Sequence, residues 1–302
     1  MANEIKAAFL QELANRFGSL KRLSGSRSLI DVKDGKVRIY IRYSTVHGRG
    51  KTFYGLREQD LLQLEGRPSF ICFLWDGQFE PLLNPFAAFE EVFHSASPAS
   101  DGQYKVQVFI QDDGCKLYIA KQGRFNIEAY FGWNAVEAVY SLSELDRIPE
   151  FSHSQIQTLL GSIGATKNFN VWIPQNDRSS LDLSLTQPFT CSELLPPGFE
   201  TIMQTMQKID VIWFHRGSNE LRALFEVEHS TPIYSGLLRF NDIHLAMPGS
   251  HPRFSIVAND TRKALFSRQI NRPTFQVSGL YELCTFLEYS DVYGWHTRIK
   301  NN

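Results

Sequence analysis

The sequence predicts an α/β protein in two parts: a strand-rich α+β domain over residues 1–145 and, over residues 146–302, a mixed central sheet flanked by helices. Three observations carry that reading. The C-terminal half alternates helical stretches with short apolar strands, the order expected of an α/β layer. The N-terminal half opens with one helical stretch and continues with strands set around Asp-Gly turns. Between the halves, Tyr140 to Phe151 collects Ser141, Ser143, Asp146 and Pro149, which places the domain boundary there.

Taken in order, Ile5, Phe9, Leu10, Leu13 and Phe17 fall on one helical stripe over the first eighteen residues. Ser28 to Val32 and Lys36 to Tyr43 flank Lys33-Asp34-Gly35 and predict a hairpin. In its second strand Val37, Ile39 and Ile41 alternate with Arg38, Tyr40 and Arg42, so one face reads as core and the other as basic with an aromatic. Pro68 to Trp75 reads as a buried strand. Asn84 to Phe93 reads as a short helix, with Asn84 as cap and Pro85 in the first position. Tyr104 to Ile110 and Cys115 to Ala120 predict a second hairpin around Asp112-Asp113-Gly114.

In the C-terminal half, Ser152 to Gly161 predicts a helix, Phe169 to Ile173 a strand and Phe199 to Gln207 a helix. Lys208 to Phe214 and Leu221 to Glu228 predict an apolar hairpin turning at Arg216-Gly217-Ser218-Asn219. Ser235 to Met247 reads as a helix on the sheet, and Phe254 to Ala258 as a strand. Thr261 to Ile270 reads as a helix capped by Asp260, and Tyr281 to Phe286 as the start of the last helical segment.

Composition sets the class. Hydrophobic content of 43% and charged content of 21% over 302 residues belong to a globular chain. No apolar run approaches the roughly 20 residues that span a bilayer, and the N-terminus lacks the order of a secretion signal, so a cytoplasmic location is expected. The four cysteines, Cys72, Cys115, Cys191 and Cys284, lack the paired spacing of a zinc site and read as free thiols. Net charge is −1, but residues 1–60 carry 12 Lys/Arg against 6 Asp/Glu, leaving that stretch at +6 and the remainder at −7. Such asymmetry suits an N-terminal part that faces a polyanion.

The chemistry gathers on the predicted C-terminal hairpin. Glu226 and Glu228 share one strand face, with Val227 on the other. A turn centred near residue 218 makes paired positions sum to about 436, which sets Asp210 opposite Glu226. Carboxylates packed that closely resist ionisation, and a divalent cation relieves them. Hard oxygen ligands suit Mg²⁺, with Mn²⁺ as substitute, and metal-assisted hydrolysis is the matching chemistry. The competing reading leaves Glu226 and Glu228 on a solvated strand face. A glycosidase is disfavoured, because two acids on the same face of one strand do not flank opposite sides of a glycosidic bond.

The stretch from His153 to Phe275 resembles bacterial restriction-endonuclease-like proteins of the PD-(D/E)xK nuclease superfamily. The similar segments are Val171 to Arg178, Ile209 to Trp213, Phe225 to Arg239 and Asn271 to Phe275. The resemblance implies a restriction-endonuclease-like mixed sheet with its metal site on a hairpin. Asp210 matches the motif aspartate and Glu226 the second acid, while Glu228 stands where lysine is usual, an ExE variant. Glutamate supplies no positive charge there and would serve as base or third ligand. Related sequences carry an acid near Gln155, so Gln155 and Gln157 are the helix positions that could contribute.

Arginines and a lysine complete the expectation. Arg38, Arg42, Arg49 and Lys51 in the N-terminal part, and Arg178 and Arg239 in the C-terminal part, are candidate DNA contacts. Arg239 has Asp242 as an alternative partner. The function expected is a Mg²⁺-dependent, site-specific endonuclease cutting double-stranded DNA, a restriction enzyme acting as a homodimer with a separate cognate DNA methyltransferase and no membrane. The alternative is a catalytically inactive DNA-binding protein or nuclease-complex subunit that kept the fold.

Overall fold

The structure is a computed structural model that describes residues 2–300 apart from 24, 49, 112, 113, 144–150, 196, 219, 230, 231 and 251, and only the backbone of 34, 142 and 143. Two compact units divide the chain, Met1–Arg147 and Ile148–Asn302. The expected boundary at Tyr140 to Phe151 lies largely outside the described residues.

The first unit runs α1 (Ala2–Phe17), β1 (Leu20–Arg22), β2 (Leu29–Val32), β3 (Val37–Ser44), β4 (Lys51–Arg57), α2 (Glu58–Leu62), β5 (Ser69–Trp75), β6 (Leu82–Pro85), α3 (Glu90–Ser95), β7 (Gln103–Gln111), β8 (Gly114–Ile119), β9 (Gly123–Asn126) and α4 (Asn134–Ser143). Two sheets result, one in the order β1-β2-β3-β5-β6 and one in the order β4-β7-β8-β9. Leu29, Tyr40, Ile71 and Phe73 of the first sheet pack with Tyr54, Leu56, Val106, Val108 and Leu117 of the second. The other face of the first sheet carries Ile30, Val37, Ile39 and Cys72 against Phe9 and Leu13 of α1. The first sheet is therefore covered on both faces, which reverses one expectation. The face bearing Arg38, Tyr40 and Arg42 looks into the space between the sheets, not to solvent. Tyr40 is fully buried.

A second correction concerns Asn84. Instead of capping a helix, it lies buried in β6 opposite Ile71. Helix α3 starts only at Glu90. Pro85 is tolerated because β6 is an edge strand, where a missing N–H costs no ladder bond.

The second unit runs α5 (His153–Thr166), β10 (Phe169–Trp172), α6 (Gln175–Arg178), α7 (Met203–Met206), β11 (Val211–His215), β12 (Leu221–Val227), α8 (Ile233–Ala246), β13 (Arg253–Ala258), α9 (Lys263–Ile270), α10 (Pro273–Ser278), α11 (Leu280–Leu283), β14 (Cys284–Glu288) and α12 (Tyr289–Lys300). Its sheet has the order β10-β11-β12-β13-β14, antiparallel through β12 and parallel beyond it. One core cluster joins Leu224 and Ile256 to Leu237 and Phe240 of α8. Another joins Phe225 and Val257 to Ile156 and Leu160 of α5 and to Trp295 of α12. The sheet is thus sandwiched between helices, the mixed α/β architecture expected.

Two local expectations fail here. The helical segment expected to open at Tyr281 to Phe286 turns into the edge strand β14 after one short helix. An apolar run buried on both faces has no period that tells helix from strand. Asp260 does not cap a helix by its side chain; it opens a 3-10 turn that leads into α9.

Candidate active site

The β11–β12 hairpin takes the register that the turn position implies. Val211 pairs with Phe225, Ile212 with Leu224 and Trp213 with Ala223, and the ladder slips only beyond Trp213. Asp210 lies one residue before β11, and its Oδ2 accepts the backbone N–H of Val227 at 2.6 Å. That bond fixes the aspartate at the end of the hairpin, beside Glu226.

Glu226 and Glu228 are each 1% exposed. The solvated-strand reading therefore fails for both. They lie under α8, whose Gly236 leaves room for them: a Cβ there would come within 2.8 Å of Glu228 Oε1 and 3.4 Å of Glu226 Cβ. The missing side chain lets α8 close over two carboxylates.

Arg239, one turn further along α8, forks both oxygens of Glu226 through Nε at 2.6 Å and a terminal nitrogen at 2.7 Å. Neither partner expected for Arg239, an open phosphate site or Asp242, is what it holds. Even so, burial drives the Glu226 carboxyl up to about 8, and the charges of Asp210 and Glu228 add to the shift against the pull of Arg239. Three carboxylates thus meet at one end of the hairpin, with Arg239 on Glu226 and His153 beside Asp210. Hard oxygen donors of this kind fit a divalent cation, which Asp210, Glu226 and Glu228 would hold. The oxygens are not drawn into a tight cage, however. Among the described residues, the three ligand-type side chains whose donor atoms all come within 4.8 Å of one another are Glu65, Glu90 and His94 of the first unit. There His94 Nε2 lies 3.1 Å from Glu65 Oε1.

Helix α5 contributes from its first turns. Ser152 caps it, and Gln155 completes the capping box while its amide donates to Asp182 at 3.1 Å. Gln155 is thereby occupied in holding the helix end. Gln157 is buried and reaches the site: its amide donates to Asp177 at 3.0 Å and to the carbonyl of Asp210 at 3.3 Å. His153 was not singled out from the sequence. Its Nε2 lies 3.4 Å from Asp210 Oδ1, and that carboxylate raises the imidazole above its ordinary value. The Ser-x-x-Gln spacing from Ser152 to Gln155 is the local signal that could have set His153 at a helix start, but only the fold brings that start to Asp210.

The remaining candidates are placed as follows. Arg178 donates to the carbonyls of Ile173 and Ser192 at 2.9 and 2.6 Å and so braces the chain after β10. His229 stacks on Tyr289 with centroids 6.4 Å apart, and Arg262 donates to the His229 carbonyl at 2.9 Å. Arg38 is 3% exposed and forks Asp31 at 2.6 and 3.0 Å, so it is a structural ion pair and not an open base-reading side chain. Arg42 is half-buried with its guanidinium 5.7 Å from the Tyr40 ring. Lys51 lies over Phe53 on β4. Arg49 falls outside the described residues.

No helix among the described residues is long and apolar enough to cross a membrane. No solved structure matches the chain. The Type II restriction enzyme NmeDI of Neisseria meningitidis serogroup C is 32% identical over 171 residues, which cover 50% of this chain and 48% of that protein. The chain thus spans about half the length of this relative. The model of the family described as the Type II restriction enzyme NmeDI C-terminal domain matches residues 134–300, a span that takes in α5, the β11–β12 hairpin and α8. By that match this chain belongs to the NmeDI C-terminal domain family of Type II restriction enzymes.

Proposed function

We propose that this protein is a site-specific restriction endonuclease of the PD-(D/E)xK type that hydrolyses phosphodiester bonds of double-stranded DNA with Mg²⁺, or Mn²⁺ in its place. The observation that carries the reading is the placement of Glu226 and Glu228 side by side under α8, with Asp210 just before the neighbouring strand and bonded to the Val227 N–H. Asp210 takes the part of the motif aspartate and Glu226 that of the second acid. Glu228 stands where lysine is usual and acts as third ligand or base. The bound cation would polarise the phosphate and acidify a water. The chain's own residues prepare for this: Val227 N–H and Gln157 fix Asp210, Arg239 orients Glu226 by bonding both its oxygens, and α8 buries Glu226 and Glu228 away from bulk water. Arg239 also has N–H donors left to offer a phosphate oxygen. Cutting both strands calls for two such pockets, so the working form is a homodimer, with a separate cognate methyltransferase protecting host DNA.

One observation favours a second reading. Both Glu226 oxygens are already held by Arg239, and a guanidinium locked there permanently would leave a DNA-binding protein or nuclease-complex subunit without chemistry. Plasmid and genomic DNA incubated with and without Mg²⁺ or Mn²⁺ separates the two. Discrete fragments that require metal and disappear in Glu226→Ala support the nuclease. Intact methylated and unmethylated DNA, with no Mn²⁺ bound by the protein, supports the inactive relative.

A further inference from the structure

The first unit's two sheets are covered unequally. In the sheet β4-β7-β8-β9, register places Lys51 opposite Phe109, Phe109 opposite Lys116, and Tyr118 opposite Arg124. Residues directly opposite in an antiparallel pair share a face. The inner face carries Tyr54, Leu56, Val106, Val108 and Leu117 into the core. The outer strand positions carry Lys, Arg, Gln, Gly, Asn and three aromatic residues, and not one acid.

The aromatics are Phe53, Phe109 and Tyr118, set on diagonals across three adjacent strands. Phe53 is 45% exposed, and Phe109 and Tyr118 are part-exposed. Phe109 and Tyr118 meet edge to face with centroids 6.4 Å apart. Cations flank the rings. The Arg124 guanidinium lies 4.4 Å above Phe109, and the Lys51 ammonium lies 5.7 Å from the centre of Phe53. Arg57 is exposed at the far end of β4. Lys105, on the same face, is paired with Asp101.

From this face we infer a nucleic-acid contact surface, whose occupant is a DNA strand with at least one base outside the duplex stack. Charge selects a polyanion, because cations without strand-borne acids attract phosphates. The rings select what the polyanion carries. A duplex buries its base faces, so exposed Phe and Tyr rings interleaved with cations match an unpaired base and its phosphates. The surface rests on the proposed function for its DNA and adds where the first unit grips it.

The test uses the full chain without metal, so that no cleavage occurs. Fluorescent 20-residue oligonucleotides, single-stranded and duplex, are titrated by anisotropy over a range of salt. The variants are the double charge reversal Lys51→Glu/Arg124→Glu and, separately, Phe53→Ala. The charge reversal is expected to weaken binding of both DNAs more than tenfold and to flatten the logarithmic salt slope, for each phosphate no longer neutralised, by about 0.9 with the duplex and about 0.7 with the single strand. Phe53→Ala is expected to weaken the single strand about tenfold, the duplex less, with the salt dependence unchanged. Wild-type affinity and salt dependence in the charge reversal overturn the surface, as does equal competition by polyglutamate. Metal-dependent cleavage by wild type with unchanged binding by both variants overturns this surface alone. Binding that needs this face in a protein that never cuts DNA overturns the nuclease reading and supports the surface.

Discussion

Gly236 of α8 sits directly over Glu228, the residue just past β12, close enough that a methyl group on the glycine would come within 2.8 Å of the glutamate's Oε1. The same methyl would also press on Ile256 at 3.2 Å. In an open helix interior, replacing glycine by alanine stabilises by about 0.5–1 kcal/mol. Here the clash outweighs that gain, and Gly236→Ala should destabilise the protein by about 1–2 kcal/mol, as overpacked cores do. Thermal unfolding of the variant checks it. A melting temperature above wild type would mean that α8 does not close on the carboxylates.

Glu226 provides a pH test. Its folded carboxyl is pushed up to about 8, above its ordinary value of 4.5. The folded state therefore holds a proton that the unfolded state has released between those values. That contribution to stability is full below 4.5 and is lost as pH rises through 8. Glu226→Gln escapes the loss. It should match wild type near pH 5 and exceed it by roughly 1 kcal/mol or more at pH 8.5, with Arg239's weaker hold on the amide as the offset. Melting curves at the two pH values decide, and a difference that shrinks as pH rises would reverse the sign argued here.

Arg239 is expected to matter through its fork. Arg239→Lys keeps the charge and loses the second hydrogen bond to Glu226, whereas Arg239→Met removes both. Stability should fall in the order wild type, lysine, methionine, with the methionine variant lower by about 1–3 kcal/mol at neutral pH. Mn²⁺ titration by calorimetry supplies the second readout. Removing the competing guanidinium should tighten metal binding even where cleavage is lost, and unchanged or weaker binding would rule out competition for Glu226.

Arg38 should behave as a structural residue. Its guanidinium is buried on Asp31 and also donates to the Gln63 carbonyl at 3.0 Å. Arg38→Met should cost about 2 kcal/mol of stability by removing the charge-assisted bonds to the half-buried Asp31 carboxylate and to the Gln63 carbonyl. DNA affinity of the folded fraction should stay as in wild type. A stable variant that loses DNA binding would restore the base-reading role.

The hairpin was legible from the chain because its information is local. Two continuous apolar runs, a Gly-Ser turn between them and strand lengths set the pairing sum at 436, and Val211 meets Phe225 accordingly. The Asp210–Glu226 neighbourhood follows from that register alone. Its surroundings were not local. Whether Glu226 and Glu228 faced water or helix depended on α8 folding back with Gly236 over them, and Arg239 joined them only through that packing.

The N-terminal unit shows the same division. Alternation in Val37 to Tyr43 correctly separated an apolar from a basic face, yet both faces of that strand are covered, because a second sheet packs on the side that carries Arg38 and Tyr40. The uncovered basic and aromatic face belongs instead to β4, β7 and β8, where Phe53, Phe109 and Tyr118 are far apart in sequence. The sequence by itself determined strand periodicity, turns, the hairpin register and the acids at its end, since backbone geometry links neighbours at fixed spacing. Only the tertiary structure decided which faces were buried and which cation met which acid, since burial depends on partners that the chain brings together from a distance.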